Sequence, residues 1–462
     1  MFGPTIYQER RKALLSRLDH GIVLLLGNEE SPKNYHDNTY RFRQDSNFLY
    51  FLGLDKPHLA AILDIDAGTA TLYGTDPDIN HVIWMGDLPS LAEMAASTAA
   101  ESSADFSELP SALADVQKAG RKIHFLPPYR GDNKIRLHQW LQIPLSELGG
   151  AASVPLVQGV IQLASSKSEE EIAEMEKAIN ITRLMHHAAM QQARPGMKEA
   201  ELAGLIEGIA LSHEGDVAYP VILTVNGQIL HNHYHGNVLQ EGQLILVDAG
   251  AETVNHYAGD ITRTFPVSTQ FTTQQKEIYE IVLKAEQDSI AKSTAGTPYL
   301  DVHLSAAKII AAGLKELGVM KGDLDEAVAA GAHALFFPHG LGHMIGLDVH
   351  DMEDLGEDYV GYTDELKRSS QFGLRSLRLG RALEPGFVIT VEPGLYFIPQ
   401  LIDLWRSEGK FTDFINYDAL EAYRSFGGIR IEDNVWITAD GPKVIGEPIA
   451  KTIAEVEALR QS

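Results

Sequence analysis

Two carboxylates that lie inside apolar, strand-like segments constrain the fold of this chain more than any other feature. Glu392 interrupts FVITVEPGLYF, and Glu432 interrupts GGIRIEDNVWIT. Burying a lone ionised carboxylate is costly, so each must be paired with a cation or bound to a metal ion. Arg430, two residues before Glu432, would point to the same face of a strand and offers a plain ion-pair explanation. The fold therefore has to bring further polar groups to both glutamates.

A second pair of carboxylates, Asp248 and Asp260, lies in LILVDAG and YAGDITRTFPV. These segments are typical of two antiparallel strands joined by a tight hairpin, which would place both carboxylates near one another on one face. Two carboxylates at that separation repel each other unless a cation lies between them. Surface charge is the alternative explanation, because aspartates beside a hairpin are common.

A row of three histidines, His339, His343 and His350, lies in the glycine-rich stretch FFPHGLGHMIGLDVHD. The stretch has neither the H-E-x-x-H pattern of zincins nor the glycine spacing of a dinucleotide-binding fingerprint. A hydrogen-bonded core histidine is the alternative for each residue. Four carboxylates and one imidazole, taken together, have the ligand character of a dinuclear site for Mn²⁺, Mg²⁺, Co²⁺ or Zn²⁺.

Composition limits the kind of site and the kind of partner. The chain has no cysteine, so any metal ion must be held by oxygen and imidazole ligands. A formal net charge of −25 argues against nucleic acid and anionic membranes as partners. The apolar stretch Ile22 to Leu26 is too short for a secretory signal, and no run approaches the ~20 residues of a membrane span. We therefore expect a cytoplasmic protein.

The length of 462 residues predicts more than one domain. Residues 1–160 have the pattern of a mixed α/β domain, with a helix at QERRKALLSRL followed by short apolar strands. The run from Leu145 to Leu163 has no strong period. It predicts an extended connection between two domains.

Residues 161–462 are predicted to form an α+β domain. Ser168 and Glu171 form a capping box at the start of a long helix. Strand-like segments follow, interrupted by two helices near residues 273–293 and 300–317. Strands and helices without regular alternation favour α+β over α/β architecture.

At these motifs the sequence resembles the pita-bread metallopeptidases, and most closely the prolidases, which are Xaa-Pro dipeptidases. VDAG, AGDITRTFPV, HGLGHMIGLDVHD, TVEPGLYF and GGIRIEDNVWIT occur in the family's order, and RFRQDSNFLYFLGL and VIWMG resemble the family's creatinase/aminopeptidase P-like N-terminal domain. The resemblance implies a C-terminal pita-bread catalytic domain after a smaller α/β domain. It also implies a homodimer and two divalent metal ions, expected to be Mn²⁺, with Co²⁺ or Zn²⁺ as alternatives.

The resemblance implies five metal ligands: Asp248, Asp260, His343, Glu392 and Glu432. Asp260 and Glu432 would bridge both ions. Glu392 would also act as general acid and base towards a bridging hydroxide that attacks the Xaa-Pro bond. The spacing of twelve residues between Asp248 and Asp260 is one longer than the family's pattern, which predicts a bulge or a longer turn in the hairpin.

The remaining histidines are implied to lie around the substrate. His231, in LHNHYHGN, falls where the family keeps a histidine near the scissile bond, with His233 and His235 as competitors for that role. His339 and His350 would hydrogen-bond the substrate and the tetrahedral intermediate.

The stretch GLRSLRLGRALEPG, together with a long segment between Glu392 and Glu432, resembles prolidase sequence in particular. There Arg378 would bind the free carboxylate of a dipeptide, since a guanidinium pairs bidentately with a planar anion. Tyr219 would line the substrate pocket and Arg430 would orient the metal ligands. An aminopeptidase P that acts on longer Xaa-Pro peptides is the first alternative. A metal-free peptide-binding protein on the same scaffold is the second.

Overall fold

The computed structural model describes residues 1–461, which fall into two units. The first unit comprises residues 1–164 together with the short segment 352–359. The second comprises residues 165–351 and the chain from residue 360 onwards. Among the described residues, no helix is both long enough and apolar enough to cross a membrane.

The first unit is a mixed α/β structure. Its strands are β1 (Ile22–Leu26), β2 (Ala60–Asp64), β3 (Thr69–Gly74), β4 (Ser102–Asp105) and β5 (Ile123–His124). They form one sheet in the order β4-β3-β2-β1-β5, antiparallel in the middle and parallel at both edges. Its helices are α1 (Pro4–Leu15), α2 (Ser46–Leu52), α3 (Ile79–Met85), α4 (Leu91–Ser97), α5 (Leu109–Lys118), α6 (Gly131–Leu141), α7 (Leu148–Ala151) and α8 (Val154–Ala164).

The prediction of an extended connection from Leu145 to Leu163 is wrong, because α7 and α8 occupy most of that run. Helix α8 is apolar on several sides, and its buried residues include Leu156, Val157, Val160 and Ile161. Gly159 lies against the Leu14 side chain of α1. A helix that buries more than one face lacks the polar stripe that reveals a helical period in sequence.

The second unit carries the larger helices. They are α9 (Glu169–Gln192), α10 (Glu199–Ser212), α11 (Thr273–Lys292), α12 (Tyr299–Glu316), α13 (Leu324–Ala330), α15 (Pro399–Ser407) and α16 (Ile453–Gln461). The short helix α14 (Glu357–Gly361) begins in segment 352–359 of the first unit. The predicted capping box is present, since Ser168 and Glu171 exchange backbone-to-side-chain hydrogen bonds at the start of α9. The predicted long helices correspond to α11 and α12 within one residue at each end.

The strands of the second unit are short and antiparallel. They are β6 (Asp216–Val217), β7 (Ile222–Thr224), β8 (Leu244–Ala249), β9 (Ala251–Glu252), β10 (Ile261–Pro266), β11 (Val388–Val391), β12 (Gly394–Tyr396), β13 (Gly428–Arg430), β14 (Asp433–Thr438) and β15 (Gly441–Val444). They pair as β10-β8-β7, β11-β14-β15, β12-β13 and β6-β9. This is the α+β arrangement predicted from the sequence.

Strands β8 and β10 are antiparallel neighbours, but they are not joined by a tight hairpin. Asp248 lies opposite Thr262, so Asp260 is on the same face two residues further along. Between the strands, β9 leaves to pair with β6. Gly250 makes this detour possible, because a Cβ there would lie 1.7 Å from the Gly259 carbonyl oxygen. The expectation of a longer turn holds, and the two aspartates lie on one face as predicted, but they are offset by two residues instead of being paired across the strands.

A buried histidine on α12 lacks hydrogen-bond partners. His303 is fully buried, and within residues 1–461 neither ring nitrogen has a partner. Its ring lies 5.1 Å from that of Phe337 and 6.4 Å from that of His333. Burial lowers the pKa of His303 to about 3, and the neighbouring His333 lowers it further. The folded protein therefore holds this imidazole neutral where an unfolded chain would protonate it.

Replacing His303 by phenylalanine is expected to weaken the acid sensitivity of the fold. In the unfolded chain the residue 303 imidazole is protonated below about pH 6.5, whereas in the folded state it stays neutral down to about pH 3. Stability is therefore lost as the pH falls through this window, by up to about 1.4 kcal/mol per pH unit, and the variant should lose that slope. Urea unfolding between pH 4.5 and 7 measures it. His213→Phe, at an exposed position of the same unit, should keep the wild-type slope. Equal slopes in both variants would contradict the assignment.

Candidate metal centre

Three of the predicted ligands converge in the second unit. Asp260, His343 and Glu432 are buried, and one ligand atom of each lies within 4.8 Å of the others. Asp260 immediately precedes β10, and Glu432 lies in the two-residue gap between β13 and β14. His343 comes from the glycine-rich loop that precedes segment 352–359. Three distant parts of the chain thus meet at one point.

The glycine-rich loop runs along β11, which brings His343 beside Glu392. The His343 backbone N–H donates to Thr390 Oγ1 at 3.0 Å, and the Glu392 N–H donates to the Leu341 carbonyl at 2.8 Å. A Cβ on Gly342 would lie 2.0 Å from the Thr390 carbonyl oxygen. Residue 342 must therefore be glycine for the loop to approach the strand this closely.

The hydrogen bonds of His343 fix which of its nitrogens carries the proton. Nδ1 lies 2.9 Å from the Met344 carbonyl oxygen, which can only accept, so Nδ1 is the donor. Nε2 then presents a lone pair to Asp260 Oδ2 at 3.4 Å and to Glu392 Oε1 at 3.6 Å. A lone pair facing two carboxylates is repulsive unless a cation or a proton lies between them. This is the tautomer that a metal-binding histidine needs.

A tyrosine hydroxyl joins the two aspartates. Tyr219 Oη lies 2.6 Å from Asp248 Oδ1 and 2.5 Å from Asp260 Oδ1. A phenol carries one proton and can donate to only one carboxylate at a time. The other carboxylate then needs a proton or a cation of its own. Tyr219 was predicted as a pocket residue, and its hydroxyl contacts two predicted metal ligands.

The carboxylates of the site are hard to ionise together without a cation. Burial raises the pKa of Glu432 well above its ordinary value, and the charges of Asp260 and Glu392 raise it further. Burial also raises the pKa of Glu392 to about 8 and that of Asp248 above its ordinary range, although the Arg430 charge opposes both rises. The same four side chains would all be ionised beside divalent ions.

Arg430 is buried at the edge of this cluster. Its Nη2 donates to Asp248 Oδ2 at 2.5 Å and its Nε to Thr262 Oγ1 at 3.0 Å. An ion pair between Arg430 and Glu432 was the alternative explanation for the buried Glu432. Arg430 instead pairs with Asp248, because β13 ends at Arg430 and strand alternation does not continue to Glu432. Glu432 instead accepts a hydrogen bond from Thr262 Oγ1 at 2.6 Å.

Tyr396 links Arg430 to a predicted substrate-binding histidine. Arg430 Nη1 donates to Tyr396 Oη at 3.0 Å, and Tyr396 Oη lies 2.8 Å from His339 Nε2. His339 Nδ1 donates to the Gly340 carbonyl at 2.8 Å, so Nε2 accepts from the tyrosine. Burial lowers the pKa of His339 to about 3, and the Arg430 charge adds to the effect. No sequence pattern singles out Tyr396, because an aromatic residue in GLYF is typical of a core.

The other predicted histidines lie around the same cluster. The rings of His350 and His343 pack edge to face with centroids 4.3 Å apart. Burial lowers the pKa of His231, as does the Arg430 charge, while the Asp248 charge opposes both. His235, a competitor of His231 in the sequence, has its Nε2 3.1 Å from the Val221 carbonyl oxygen.

Arg378 lies on a loop with a firmly held backbone. The Tyr362 hydroxyl donates to the Leu377 carbonyl at 2.6 Å. Gly361 packs against the Arg378 carbonyl so closely that a Cβ would lie 1.8 Å from its oxygen. Arg378 itself is half-buried, and its positive charge opposes the rise in the pKa of Glu392 that burial causes. The guanidinium is thus within electrostatic reach of the carboxylate cluster.

The donor set fits divalent metal ions. It consists of carboxylate oxygens and one imidazole nitrogen whose lone pair faces the carboxylates. Hard oxygen donors with one imidazole suit Mn²⁺, Co²⁺ or Zn²⁺. A cation would relieve the repulsion among these groups.

Comparison with known families gives two matches. Metallopeptidase family M24 matches residues 173–439, more than half of the chain. The aminopeptidase P N-terminal domain matches residues 7–124. The first match contains all five predicted metal ligands.

Similar proteins cover nearly the whole chain. The Xaa-Pro dipeptidase of Homo sapiens is 32% identical over 95% of this chain and 88% of its own length. The Xaa-Pro aminopeptidase of Escherichia coli (strain K12) is 34% identical over 98% of this chain and 97% of its own length. The solved structure of a zinc-substituted Escherichia coli aminopeptidase P in complex with product has a TM-score of 0.82 at 31% identity, covering 100% of this chain and 98% of that chain. The Pseudomonas aeruginosa aminopeptidase PepP gives 0.81 at 28% identity, with the same coverage.

Proposed function

We propose a function from one premise: the chain belongs to metallopeptidase family M24. We infer that it uses divalent metal ions to hydrolyse the Xaa-Pro bond and that dipeptides are its preferred substrates. The convergence of Asp260, His343 and Glu432, with the His343 lone pair directed at carboxylates, carries this inference.

The residues that would hold the ions are Asp248, Asp260, His343, Glu392 and Glu432. We propose Mn²⁺ as the metal, with Co²⁺ or Zn²⁺ as alternatives, since this donor set suits all three. When bound, the ions would polarise the substrate carbonyl and lower the pKa of the attacking water. Tyr219 would orient the two aspartates through its hydroxyl, and Arg430 would fix Asp248 from the other side.

Glu392 is the group best placed to move a proton. Oε1 faces His343, whereas Oε2 lies 3.8 Å from His339 Nδ1. The nitrogen of an Xaa-Pro bond carries no hydrogen, so cleavage requires that it gain a proton to leave. We propose that Glu392 accepts a proton from water and delivers it to this nitrogen. His339, His350 and His231 would orient the substrate carbonyl.

Arg378 would determine how far a substrate extends. A dipeptide ends in a free carboxylate directly after proline, and a guanidinium binds a carboxylate through two parallel hydrogen bonds. The Tyr362 and Gly361 contacts hold the Arg378 backbone in place for this role. A longer peptide has an amide at that position and would lose the charge interaction.

An aminopeptidase P activity on longer Xaa-Pro peptides is the second candidate. The full coverage of this chain by aminopeptidase P structures, at TM-scores of 0.81 and 0.82, favours it. Both candidates would use the same proposed metal ligands, and the role of Arg378 would distinguish them.

Hydrolysis of a small peptide panel tests the proposal. The purified chain with added Mn²⁺ is expected to cleave Ala-Pro with a kcat/KM at least about 10-fold above that for Ala-Pro-Ala-Ala, and to leave Ala-Ala uncleaved. Chelator treatment should abolish activity, and Mn²⁺ should restore it. A preference for the tetrapeptide would show that the chain is an aminopeptidase P and not a dipeptidase. Peptide binding without hydrolysis under every metal would overturn both.

A further inference from the structure

A short segment after β15, residues 449–451, contacts strand β10, which directly follows Asp260, on the face opposite the metal centre. Arg263 alternates with Thr262 on β10, so its side chain points away from the metal centre. The guanidinium is fully buried and donates to the carbonyls of Ala450 at 3.0 Å and Ile449 at 3.2 Å. It also donates to the Glu432 carbonyl at 2.6 Å. One arginine thus joins this segment to a predicted metal ligand.

Lys451 extends the same contact. Its Nζ donates to Asp433 Oδ2 at 2.5 Å and to Glu286 Oε1 of α11 at 2.7 Å. Arg263 Nη2 donates to the other oxygen of Asp433 at 2.6 Å. The Tyr279 hydroxyl donates to the Lys451 carbonyl at 2.8 Å. Asp433 is therefore held on both oxygens by cations from β10 and from the segment after β15.

Glu432 needs such support because no strand ladder contains it. β13 ends at Arg430, and β14 starts at Asp433. The Glu432 N–H donates to the Thr262 carbonyl at 3.1 Å, and its side chain accepts from Thr262. Arg263 donates hydrogen bonds to the Glu432 carbonyl and to the side chain of the next residue, Asp433.

We propose that Arg263, Asp433 and Lys451 form a rear clamp that positions Glu432 for metal binding. The segment that includes Lys451 is then part of the metal site, although it lies beyond residue 439, where the family match ends. Lys451 touches neither substrate nor metal and acts through Asp433, as a positioning residue. The inference rests on the proposed role of Glu432 as a metal ligand.

Co²⁺ binding by the metal-free chain tests the rear clamp. Lys451→Met should weaken the binding of Co²⁺ by about 10- to 100-fold, the range found when groups that orient metal ligands are removed, and both ions should be affected because Glu432 would bridge them. The visible Co²⁺ spectrum should also change, because it reports ligand geometry. Lys451→Arg keeps the cation and should restore both. Lys443→Met, at an exposed lysine of β15, should bind Co²⁺ as the wild type does.

The outcomes separate the clamp from a merely stabilising role. If Lys451→Met lowers the urea midpoint but binds both ions with unchanged affinity and spectrum, the clamp is overturned. If Lys451→Met does not fold, Lys451→Gln provides the same measurement with a donor retained. If the wild-type chain binds no Co²⁺, the proposed function fails and the clamp fails with it.

Discussion

Replacing Glu392 by glutamine is expected to lower kcat for Gly-Pro by about 10³-fold or more, while the protein remains folded. General acid and base catalysis by one positioned group contributes about 10²- to 10⁴-fold. Glutamine retains the size of the side chain but cannot accept and release the proton at Oε2, and it is a weaker metal ligand. Steady-state kinetics on Gly-Pro with added Mn²⁺ measures the loss, and circular dichroism checks the fold.

The control for this variant is Glu408→Gln, a change at an exposed position after α15 that should leave kcat within about 2-fold of wild type. Bound metal is determined on both proteins, so that loss of an ion can be distinguished from loss of the proton carrier. Wild-type-like hydrolysis of Gly-Pro by Glu392→Gln would exclude Glu392 as the catalytic base.

Replacing Arg378 by methionine should impair the hydrolysis of dipeptides far more than that of longer peptides. The KM for Ala-Pro is expected to rise about 10²-fold, which corresponds to ~2.7 kcal/mol, as is typical when one partner of a desolvated, hydrogen-bonded charge pair is removed. Hydrolysis of Ala-Pro-Ala-Ala should change by less than about 3-fold, because that substrate has no carboxylate after proline. The ratio of the two kcat/KM values is the measurement.

Arg375→Met is the matched control for Arg378. Arg375 lies three residues earlier on the same loop, is exposed and stacks on Phe372. Its replacement removes an equal charge without removing the proposed carboxylate contact, so the ratio should stay at the wild-type value. Equal losses on both substrates in Arg378→Met would show a general role for Arg378 and would favour the aminopeptidase reading.

The sequence was sufficient to predict that polar groups would gather around the strand glutamates. A carboxylate in an apolar strand needs a partner wherever the strand lies, so Glu392 and Glu432 could be singled out without knowledge of the fold. The alternation of side chains along a strand likewise predicted that Asp248 and Asp260 lie on one face. It did not predict that Asp248 lies opposite Thr262, two residues away from Asp260. The detour between them depends on the pairing of β6 with β9, which no local pattern reveals.

The partners of these residues could not be predicted. Arg430 was expected beside Glu432 by strand alternation, but β13 ends at Arg430 and the side chain reaches Asp248. Tyr396 and Thr262 contact the site through hydroxyl groups, which in sequence are indistinguishable from those of ordinary strand residues. Such contacts depend on which strands become neighbours, and that is decided by the tertiary fold.

The distribution of the ligands along the chain determines when the metal centre can form during synthesis. Asp248 and Asp260 leave the ribosome early, whereas Glu432 emerges roughly ten seconds or more later at typical rates of elongation. Until then the aspartates of the nascent chain lack both Glu432 and Arg430, which are needed to complete the cluster. We therefore expect the proposed metal site to be complete only after Glu432 has joined the aspartates in the folded second unit.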